Sequence, residues 1–545
     1  MRTEVIRLYK TVHTWTGIVS GLLLFIAFYA GAITMFEEPL ARWASAPTRL
    51  SKPTLAQADA LIAQTLAARP DARKEFTLHL GEAEHLPARL TWQKGRGDRA
   101  PLSANLGPDG ALRVERLHPS GLAQFVDTLH RTGGVPGDPE LGEHLMGVVS
   151  LLYAVALVSG VIILLPSLVK DFFALRLGRN LKRMWLDAHN VVGIASLPFH
   201  LVIALTAVTF GLHDQFYDVQ DKLIYKDGLA PMMKAGSAYS AIAPDGGRAP
   251  MLPAAALLAR VGAASPGFAV AALHYRAPGT AGAQVRVAGH DGRYMTRAEG
   301  FLVMSAVSGE IVNTAYFPGA QGTWSAPVSA FFSLHLGSFG GETVRWSYFL
   351  LGLAGAFLFY SGNLLWVETR RKAARKNAGP VVQQRSARLL AAGTVGVAVG
   401  CVAGISLAIA ASKWLEGRVA APDEWHRRIY YAVFVASVAW AFLRGAGNAA
   451  PTLLRLAAAG TAAIPLTSLL AWAIPALNLW AHGSAAALGV DVVAATGALA
   501  LWSMARASAR RAAAGPSDSV WAGAPMELPV GNETAISRPD PRFVA

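Results

Sequence analysis

The sequence has a single cysteine, Cys401, among 545 residues. One thiol excludes a disulfide, a cysteine-ligated zinc site and an all-cysteine iron–sulfur cluster within one chain. Common catalytic and nucleotide-binding motifs are missing as well: the sequence contains no G-x-x-x-x-G-K-[ST], no H-E-x-x-H, no G-x-S-x-G and no strand-flanked G-x-G-x-x-G. Any chemistry therefore has to be carried by other residue types.

Charged residues are scarce, at 15%, whereas 53% of the chain is hydrophobic. This composition is too apolar for several soluble domains and too charged for membrane spans alone, so it indicates spans joined to aqueous domains. Eight stretches reach the roughly 20 apolar residues that a membrane helix needs. They lie near 15–36, 144–166, 190–212, 346–367, 388–411, 428–445, 453–475 and 485–505.

Acidic residues are outnumbered, with 35 Asp and Glu against 49 Lys and Arg and a net charge of +14. The basic residues cluster at the N-terminus and after spans two, four and eight, which is one side of the membrane if the spans alternate. This pattern predicts that both termini are cytoplasmic. Nucleic-acid binding is disfavoured, because the basic residues adjoin spans instead of alternating with exposed aromatic residues.

The first four predicted spans repeat a pattern. HTWTGIVSG in span one aligns with HNVVGIASL in span three, which matches His13 to His189. LHRTGG before span two aligns with LHLGSFGG before span four, which matches His130 to His335. Each unit is thus a histidine-headed helix, an outer loop of helix and strands, a Leu-His segment and a second helix. A tandem pair predicts a pseudo-twofold axis along the membrane normal, which brings equivalent histidines together.

The order of these motifs, with LDAHNVVGIASLPFHLVIALT and WSYFLLGLAGAFLFYSGNLLW, resembles the PepSY-associated transmembrane family of bacterial inner-membrane proteins over about residues 1 to 376. The outer loops are similar to PepSY domains. The resemblance implies iron-linked redox work with b-type haem, as in ferric-siderophore reductases. It predicts a polytopic α-helical protein of the inner membrane, with two periplasmic α+β PepSY-like domains and a tandem-repeated four-helix haem-binding core.

The predicted organisation has ten segments. They are transmembrane helix 1 (1–36), PepSY-like domain 1 (37–143), transmembrane helix 2 (144–166), a basic cytoplasmic loop (167–189), transmembrane helix 3 (190–212), PepSY-like domain 2 (213–330), the Leu-His segment with transmembrane helix 4 (331–367), a second basic loop (368–387), a C-terminal four-helix extension (388–505) and a disordered cytoplasmic tail (506–545).

Histidines are the candidate haem ligands. A low-spin haem needs one axial ligand on each face, and facing helices of a bundle commonly supply them. His13 with His189 is predicted to hold an inner haem b, and His335 to hold an outer one with either His130 or His200. His200 follows His189 by eleven residues, which in one continuous helix is about three turns and about 16 Å along the same face.

Other residues have two interpretations each. Gly17 and Gly193 lie one turn from the ligands, where they allow either a macrocycle or a neighbouring helix to approach. Asp187 either orients a ligand through a hydrogen bond or caps a helix. Arg345 and Trp346 either hold haem propionates or stack on substrate, or else anchor the chain at the membrane interface. The histidines of the outer loops are interpreted as surface or packing residues: His79, His85, His118, His274 and His290.

The predicted function is a di-haem b electron-transfer protein that reduces iron in a ferric siderophore on the periplasmic side. Because the cytoplasmic loops are too short for a nicotinamide or flavin domain, the donor is expected to be a membrane quinol or a separate redox protein. The cleft between the two PepSY-like domains is the expected chelate site. Two alternative functions stay open. One is a regulator or sensor of periplasmic peptidases, which needs no haem. The other is an importer subunit for iron or siderophore, and it is disfavoured because the spans contain few buried charges that could line a polar path.

Overall fold

Long helices dominate the chain. The computed structural model describes residues 3–47, 54–80, 89–95, 100–173, 180–235, 242–297, 299–374, 383–516 and 518–523. The helices are α1 (Thr3–Thr34), α2 (Glu37–Ala44), α3 (Ala58–Ala68), α4 (Leu122–Thr132), α5 (Pro139–Leu164), α6 (Leu168–Phe172), α7 (Leu181–Ala195), α8 (Leu197–Gln220), α9 (Leu229–Ala235), α10 (Ala254–Ala264), α11 (Ser325–Leu336), α12 (Gly341–Ala374), α13 (Arg385–Leu415), α14 (Pro422–Ala473) and α15 (Ala485–Ala514). Within these ranges seven helices are long and apolar enough to cross a membrane, so the chain is a polytopic membrane protein.

Seven candidate spans stand where eight were predicted, and the difference lies in α14. This helix contains both predicted spans 428–445 and 453–475. It is interrupted at Gly445, whose φ of 73° and ψ of 156° are not helical. Before this glycine α14 runs antiparallel to α13, because Gly404 lies next to Tyr430 and Gly396 lies next to Ala441. After it the two segments run parallel, because Ser406 bonds to Thr461 and Lys413 bonds to Ser468. The chain therefore reverses direction at Gly445.

The third predicted span is also interrupted. Helix α7 ends at Ala195, Ser196 has φ −94° and ψ 4°, and α8 begins at Leu197. Pro198 in the first turn of α8 explains the break, because proline has no N–H to donate to the preceding turn. The prediction that one continuous helix carries His189 and His200 is therefore wrong.

The two outer loops form one sheet. Its strands are β1 (Glu75–His79), β2 (Leu90–Trp92), β3 (Leu102–Leu106), β4 (Leu112–Arg116), β5 (Ala269–Arg276), β6 (Gln284–His290), β7 (Gly300–Ser305) and β8 (Ile311–Tyr316). They follow the order β4-β3-β2-β1-β5-β6-β7-β8, and every pair is antiparallel. The predicted pair of separate domains with a cleft between them is replaced by a continuous sheet, joined where β1 pairs with β5.

One face of this sheet carries the outer hydrophobic core. Alternate strand residues such as Phe76, Leu78, Leu273 and Tyr275 are buried there, as the two-residue period of a strand requires. Helices α3 and α10 cover this face, and their apolar side chains join the same core. Each predicted loop thus contributes one helix and four strands to a shared core.

The C-terminal helices pack against the first repeat unit. Helices α13, α14 and α15 contact α1, α2 and α4. Trp43 of α2 contacts polar side chains of these helices. Its Nε1 donates to Asp491 of α15 at 2.9 Å. Nζ of Lys413 in α13 lies 3.7 Å from the Trp43 ring and donates to Ser468 of α14 at 3.1 Å. Helix α13 also packs against α12 of the second unit, where Asn363 Nδ2 donates to Thr394 of α13 at 3.1 Å.

The predicted disordered tail begins with ordered chain. Helix α15 continues to Ala514, and residues 518–523 fold back onto α12. Trp521 Nε1 donates to Glu368 at 2.8 Å, and Arg371 pairs with Asp518 at 2.7 Å. Residues 524–545, and parts of the two basic loops at 174–179 and 375–382, lie outside the described residues.

Acidification is expected to destabilise the sheet through His274. Burial, assisted by the neighbouring Arg286 charge, lowers the pKa of His274 from 6.5 to about 4. Between these values the unfolded chain binds a proton that the folded chain does not, so stability falls as pH drops from 6.5 to 4. Hydrogen exchange of β1 and β5, corrected for intrinsic pH dependence, should show faster opening at pH 5 than at pH 7. His274→Gln should remove most of this difference, and an equal difference in the variant would contradict the assignment.

Candidate functional site

Two histidines meet near the N-terminal end of α1. The ring centroids of His13 in α1 and His189 in α7 are 6.3 Å apart, with the ring planes at 76°. Nδ1 of His13 donates to the carbonyl oxygen of Ala156 in α5 at 2.8 Å. Nδ1 of His189 is 3.0 Å from Oγ of Ser361 in α12. The two residues that the internal repeat matched are thus neighbours, and four different helices position them.

A second pair lies towards the sheet. The ring centroids of His130 in α4 and His335 in α11 are 6.1 Å apart, with the ring planes at 39°. Nδ1 of His130 donates to the carbonyl oxygen of Ala27 in α1 at 2.8 Å, and Nδ1 of His335 is 2.9 Å from Oγ1 of Thr206 in α8. The structure therefore places the symmetric partner His130, and not His200, next to His335.

The hydrogen bonds select one tautomer in all four rings. A carbonyl oxygen can only accept, so His13 and His130 carry their proton on Nδ1. The hydroxyl protons of Ser361 and Thr206 are engaged by carbonyl oxygens of their own helices, at 3.1 Å and 2.8 Å. These hydroxyl oxygens therefore accept from the other two rings. Each Nε2 then presents a lone pair, which is the form of imidazole that binds a metal.

The hydrogen-bond partners of the rings lie at equivalent positions in the two repeat units. His130 and His335 are 205 residues apart, and the same offset makes Ser361 of α12 the repeat equivalent of Ala156 of α5. The two rings of the inner pair therefore bond to equivalent positions of these helices. The offset between the two histidine-headed helices, 176 residues, takes Ala27 to Ile203, whose carbonyl lies 3.2 Å from the Thr206 hydroxyl. In the second unit the Thr206 hydroxyl lies between the His335 ring and the carbonyl oxygen of Ile203, whereas His130 bonds directly to the carbonyl oxygen of Ala27. Sequence reasoning missed these partners, although the alignment of the units locates them.

The spacing of both pairs fits two axial ligands of one metal ion. A metal–imidazole bond is about 2 Å long, so two imidazoles on opposite sides of one ion have ring centres roughly 6 Å apart. Both observed separations agree with this value. Within the described ranges, no three His, Cys, Asp or Glu side chains converge into a protein-only metal site. Each pair offers two ligands, which is the number that a haem iron needs from the protein.

The two pairs lie at different depths. His13 belongs to the inner pair, and the carbonyl of Ala27 holds the outer pair, fourteen residues later in the same helix. At 1.5 Å per residue this is about 21 Å along α1. The pairs therefore lie near opposite ends of a bundle that crosses a roughly 30 Å hydrocarbon layer.

Glycines make room for the rings, but not only those predicted. A Cβ on Gly160 would lie 2.9 Å from Cε1 of His13, and one on Gly31 would lie 2.6 Å from Nδ1 of His130. The predicted Gly17 and Gly193 border open space, since a Cβ would meet nothing within 4 Å at Gly17 and only a leucine methyl at 3.8 Å at Gly193. No backbone of a neighbouring helix lies within contact distance of either glycine, which does not support close helix packing there.

His200 occupies a third position. It is buried, its Nδ1 is 2.6 Å from the Tyr153 hydroxyl, and its Nε2 has no hydrogen-bond partner among the described residues. Its ring packs against Phe28 and Phe199 at 5.6 Å and 5.5 Å. Because it precedes Thr206 by six residues in α8, it lies about 9 Å along the axis from the outer pair. The structure thus separates His200 from the outer pair.

The remaining predicted residues have other surroundings. Asp187 is buried in the middle of α7 and does not cap it, because the N-cap is Asn180, whose side chain accepts from the Arg183 amide. Arg345 pairs with Glu342 one turn earlier in its own helix at 3.0 Å. Trp346 packs against Phe36 at 4.5 Å and Phe349 at 5.7 Å. These contacts favour the interfacial anchor over a role beside the histidine pairs.

The family match covers the part of the chain that holds both histidine pairs. The family model of the PepSY-associated TM region matches residues 10–369 of the 545, which is more than half of the chain. The chain therefore belongs to this family. The matched range contains both repeat units and all five histidines, and it ends within α12, so α13, α14 and α15 fall outside it. A comparison with curated proteins gives no match.

Proposed function

We propose that the protein is a di-haem b electron-transfer protein of the bacterial inner membrane that reduces ferric siderophore chelates on the periplasmic side. The observation that carries the proposal is the geometry of the two histidine pairs. Both have the ring separation of two axial ligands, and in all four rings a hydrogen bond to Nδ1 leaves Nε2 free to bind iron. Such orienting bonds are typical of metal-binding histidines.

Each residue of the pairs has a defined role in this proposal. His13 and His189 hold one haem, and His130 and His335 hold the other. Haem iron, when bound, supplies one-electron chemistry. Nδ1 hydrogen bonds to backbone and hydroxyl groups fix the orientation of each ring and leave Nε2 directed away from these partners. The surrounding apolar helices would limit the access of water to a bound haem.

The depth of the pairs supports transfer across the membrane. One cofactor cannot reach both faces of a roughly 30 Å layer, whereas two centres about 21 Å apart along α1 divide the distance. We place the outer pair and the sheet in the periplasm and the basic clusters in the cytoplasm, according to the positive-inside pattern. The electron donor is then a membrane quinol or a separate redox protein, and the substrate is Fe(III) in a chelate, which binds oxygen ligands less tightly once it is reduced to Fe(II).

The test is a visible spectrum of purified protein. Protein made with adequate haem supply should contain close to two b haems per chain by pyridine haemochrome, and its dithionite-reduced bands should disappear when an excess of ferric siderophore is added under anaerobic conditions. The gallium chelate, which has the same charge but cannot be reduced, is the control. Haem-free yet well-folded protein would reject the proposal in favour of the peptidase-linked regulator. Reduced haem that persists with the ferric chelate would reject the reductase while retaining the cofactor.

A further inference from the structure

A groove opens between α1 and α5 beside the inner histidine pair. Its volume is about 280 Å³, and it is lined by Tyr9, Val12, Ala154, Val155, Val158 and Ser159. Small-molecule sites usually have volumes of about 300–1,000 Å³, so the groove has room for one ring of a larger molecule. Its lining surface is almost entirely apolar, so it selects an apolar ligand.

The two helices that form the groove also hold His13. Val12 precedes His13 in α1, and Nδ1 of His13 donates to the carbonyl oxygen of Ala156 in α5. Ser159 precedes Gly160, where a Cβ would lie 2.9 Å from the His13 ring. Each lining residue of α5 is thus at most two positions from a residue that adjoins this ring. A ligand in the groove would lie next to the inner pair.

The open side of the groove faces the lipid. The membrane span that begins with α5 has only 28% of its most apolar stretch buried inside the protein. Within the groove, Val155 and Val158 remain 39% and 55% exposed. The groove is therefore continuous with the lipid-facing surface of the helix bundle, and a ligand enters it from the hydrocarbon layer.

The equivalent surface of the second repeat unit carries larger side chains and is covered. The 205-residue offset between the units places three larger residues in α12, where Phe359, Tyr360 and Leu364 replace Ala154, Val155 and Ser159. Leu364 is buried, and Asn363, the equivalent of Val158, donates to Thr394 of α13 at 3.1 Å. The C-terminal extension thus covers in the second unit a surface that stays open in the first, so the groove is a feature of the first unit alone.

These features distinguish between the two electron donors considered for the inner pair. A separate redox protein docks from water and cannot enter a groove that opens to lipid. A prenylated quinol dissolves in the hydrocarbon layer, and its flat ring packs well against an aromatic side chain such as Tyr9. The groove therefore favours the quinol.

We propose that the groove between α1 and α5 binds the ring of a prenylated membrane quinol, which is the electron donor of the inner pair. Oxidation of the quinol to the quinone releases two electrons, which pass one at a time to iron held by His13 and His189, and two protons, which leave to water. Binding depends on the groove alone. That the bound quinol donates electrons rests on the proposed function.

Photolabelling of the full chain in phosphatidylcholine nanodiscs tests the site. A radiolabelled azido-ubiquinone with a short prenyl chain should label wild type saturably within residues 9–12 and 154–159, and unlabelled ubiquinone should compete. Val155→Trp should reduce this labelling about tenfold or more, because the indole fills the groove. The matched control is Val148→Trp, which lies two turns earlier on the same face of α5 and is 53% exposed. It should be labelled like wild type.

The same variants test electron donation. In haem-loaded protein, Val155→Trp should slow the reduction of the inner haem by decylubiquinol about tenfold or more, with unchanged haem content and unchanged reduction by dithionite. Val148→Trp should be reduced at the rate of wild type. If Val155→Trp does not fold or loses the inner haem, Val158→Phe at the more exposed edge of the groove takes its place.

Other outcomes overturn the proposal. Labelling without competition by ubiquinone, or equal labelling of wild type and Val155→Trp, would refute the quinol site and leave the groove to lipid acyl chains. Normal labelling loss in Val155→Trp with an unchanged rate of reduction by decylubiquinol would retain the site and refute its role as the donor site. Failure of the proposed function is recognised separately, since haem-free, well-folded protein that is still labelled in the groove would reject electron transfer and retain quinone binding.

Discussion

Replacing His13 with alanine is expected to remove about one of two b haems per chain and to leave the other, and His189→Ala should have the same effect. The two rings are each other's only histidine neighbours at ligand spacing among the described residues, so neither can be replaced by a nearby ring. His130→Ala and His335→Ala should remove the other haem. Pyridine haemochrome quantification and low-temperature spectra, which separate two b-type α bands, measure the loss.

The control for this series is His213→Ala. His213 also has its Nδ1 bonded to a carbonyl, that of Phe210 in its own helix, but no histidine of the described residues faces it. It should retain both haems. The double variant of His13 and His189 should lose no more haem than either single variant, because both act on one site. Additive loss in the double variant, or full haem content in any of the four single variants, would contradict the pairing.

His200→Ala separates the two interpretations of the outer site. If His130 and His335 are the ligands, this variant should keep two haems, although loss of the Tyr153 hydrogen bond and of a buried ring lowers its stability. A variant of Tyr153 to phenylalanine controls for the hydrogen bond alone. Selective loss of the outer haem in His200→Ala, with full thermal stability, would instead support ligation by His200.

Gly160→Val is expected to weaken inner haem binding about tenfold or more while the outer haem stays bound. Even the Cβ would lie 2.9 Å from the His13 ring, and the γ methyl groups add further conflict, so the ring must move away from its carbonyl partner. Overpacking of this kind costs about 1–3 kcal/mol, which corresponds to roughly 5- to 150-fold in affinity. Haem titration of apoprotein at limiting concentration measures the effect on each α band.

Gly31→Val should give the reciprocal result at the outer haem, because its Cβ would lie 2.6 Å from the His130 ring. The matched control is Gly489→Val in α15, where a Cβ would meet nothing within 4 Å. This control should retain both haems and the stability of wild type. Loss of both haems in each glycine variant would indicate general unfolding and would count against a local steric role.

Much of the site was predictable because the chain is a tandem repeat. Matching His13 to His189 and His130 to His335 needs only an alignment of the chain with itself, and symmetry then requires equivalent residues to meet at the axis. The helices that cross the membrane were recognisable for an equally local reason, since about 20 consecutive apolar residues have few alternatives in water.

The contacts that orient the rings could not be derived in this way. The carbonyl of Ala156 carries no side-chain signal, and the glycines that admit the rings do not differ in sequence from packing glycines such as Gly396. The direction of the His200 side chain was predicted wrongly for a related reason. A single helical wheel through residues 189–200 leaves out the break at Ser196, and this break changes the direction in which His200 points relative to His189.

The sequence by itself determined the membrane class, the duplication and the identity of the paired histidines, because these depend on composition, length and internal similarity. Only the tertiary structure decided that the outer loops share one sheet, that α14 reverses at Gly445, and that His335 meets His130 and not His200. Strand pairing between β1 and β5 joins residues about two hundred positions apart, and ring pairing depends on how helices rotate against each other. Both are set by long-range packing, which local sequence patterns do not record.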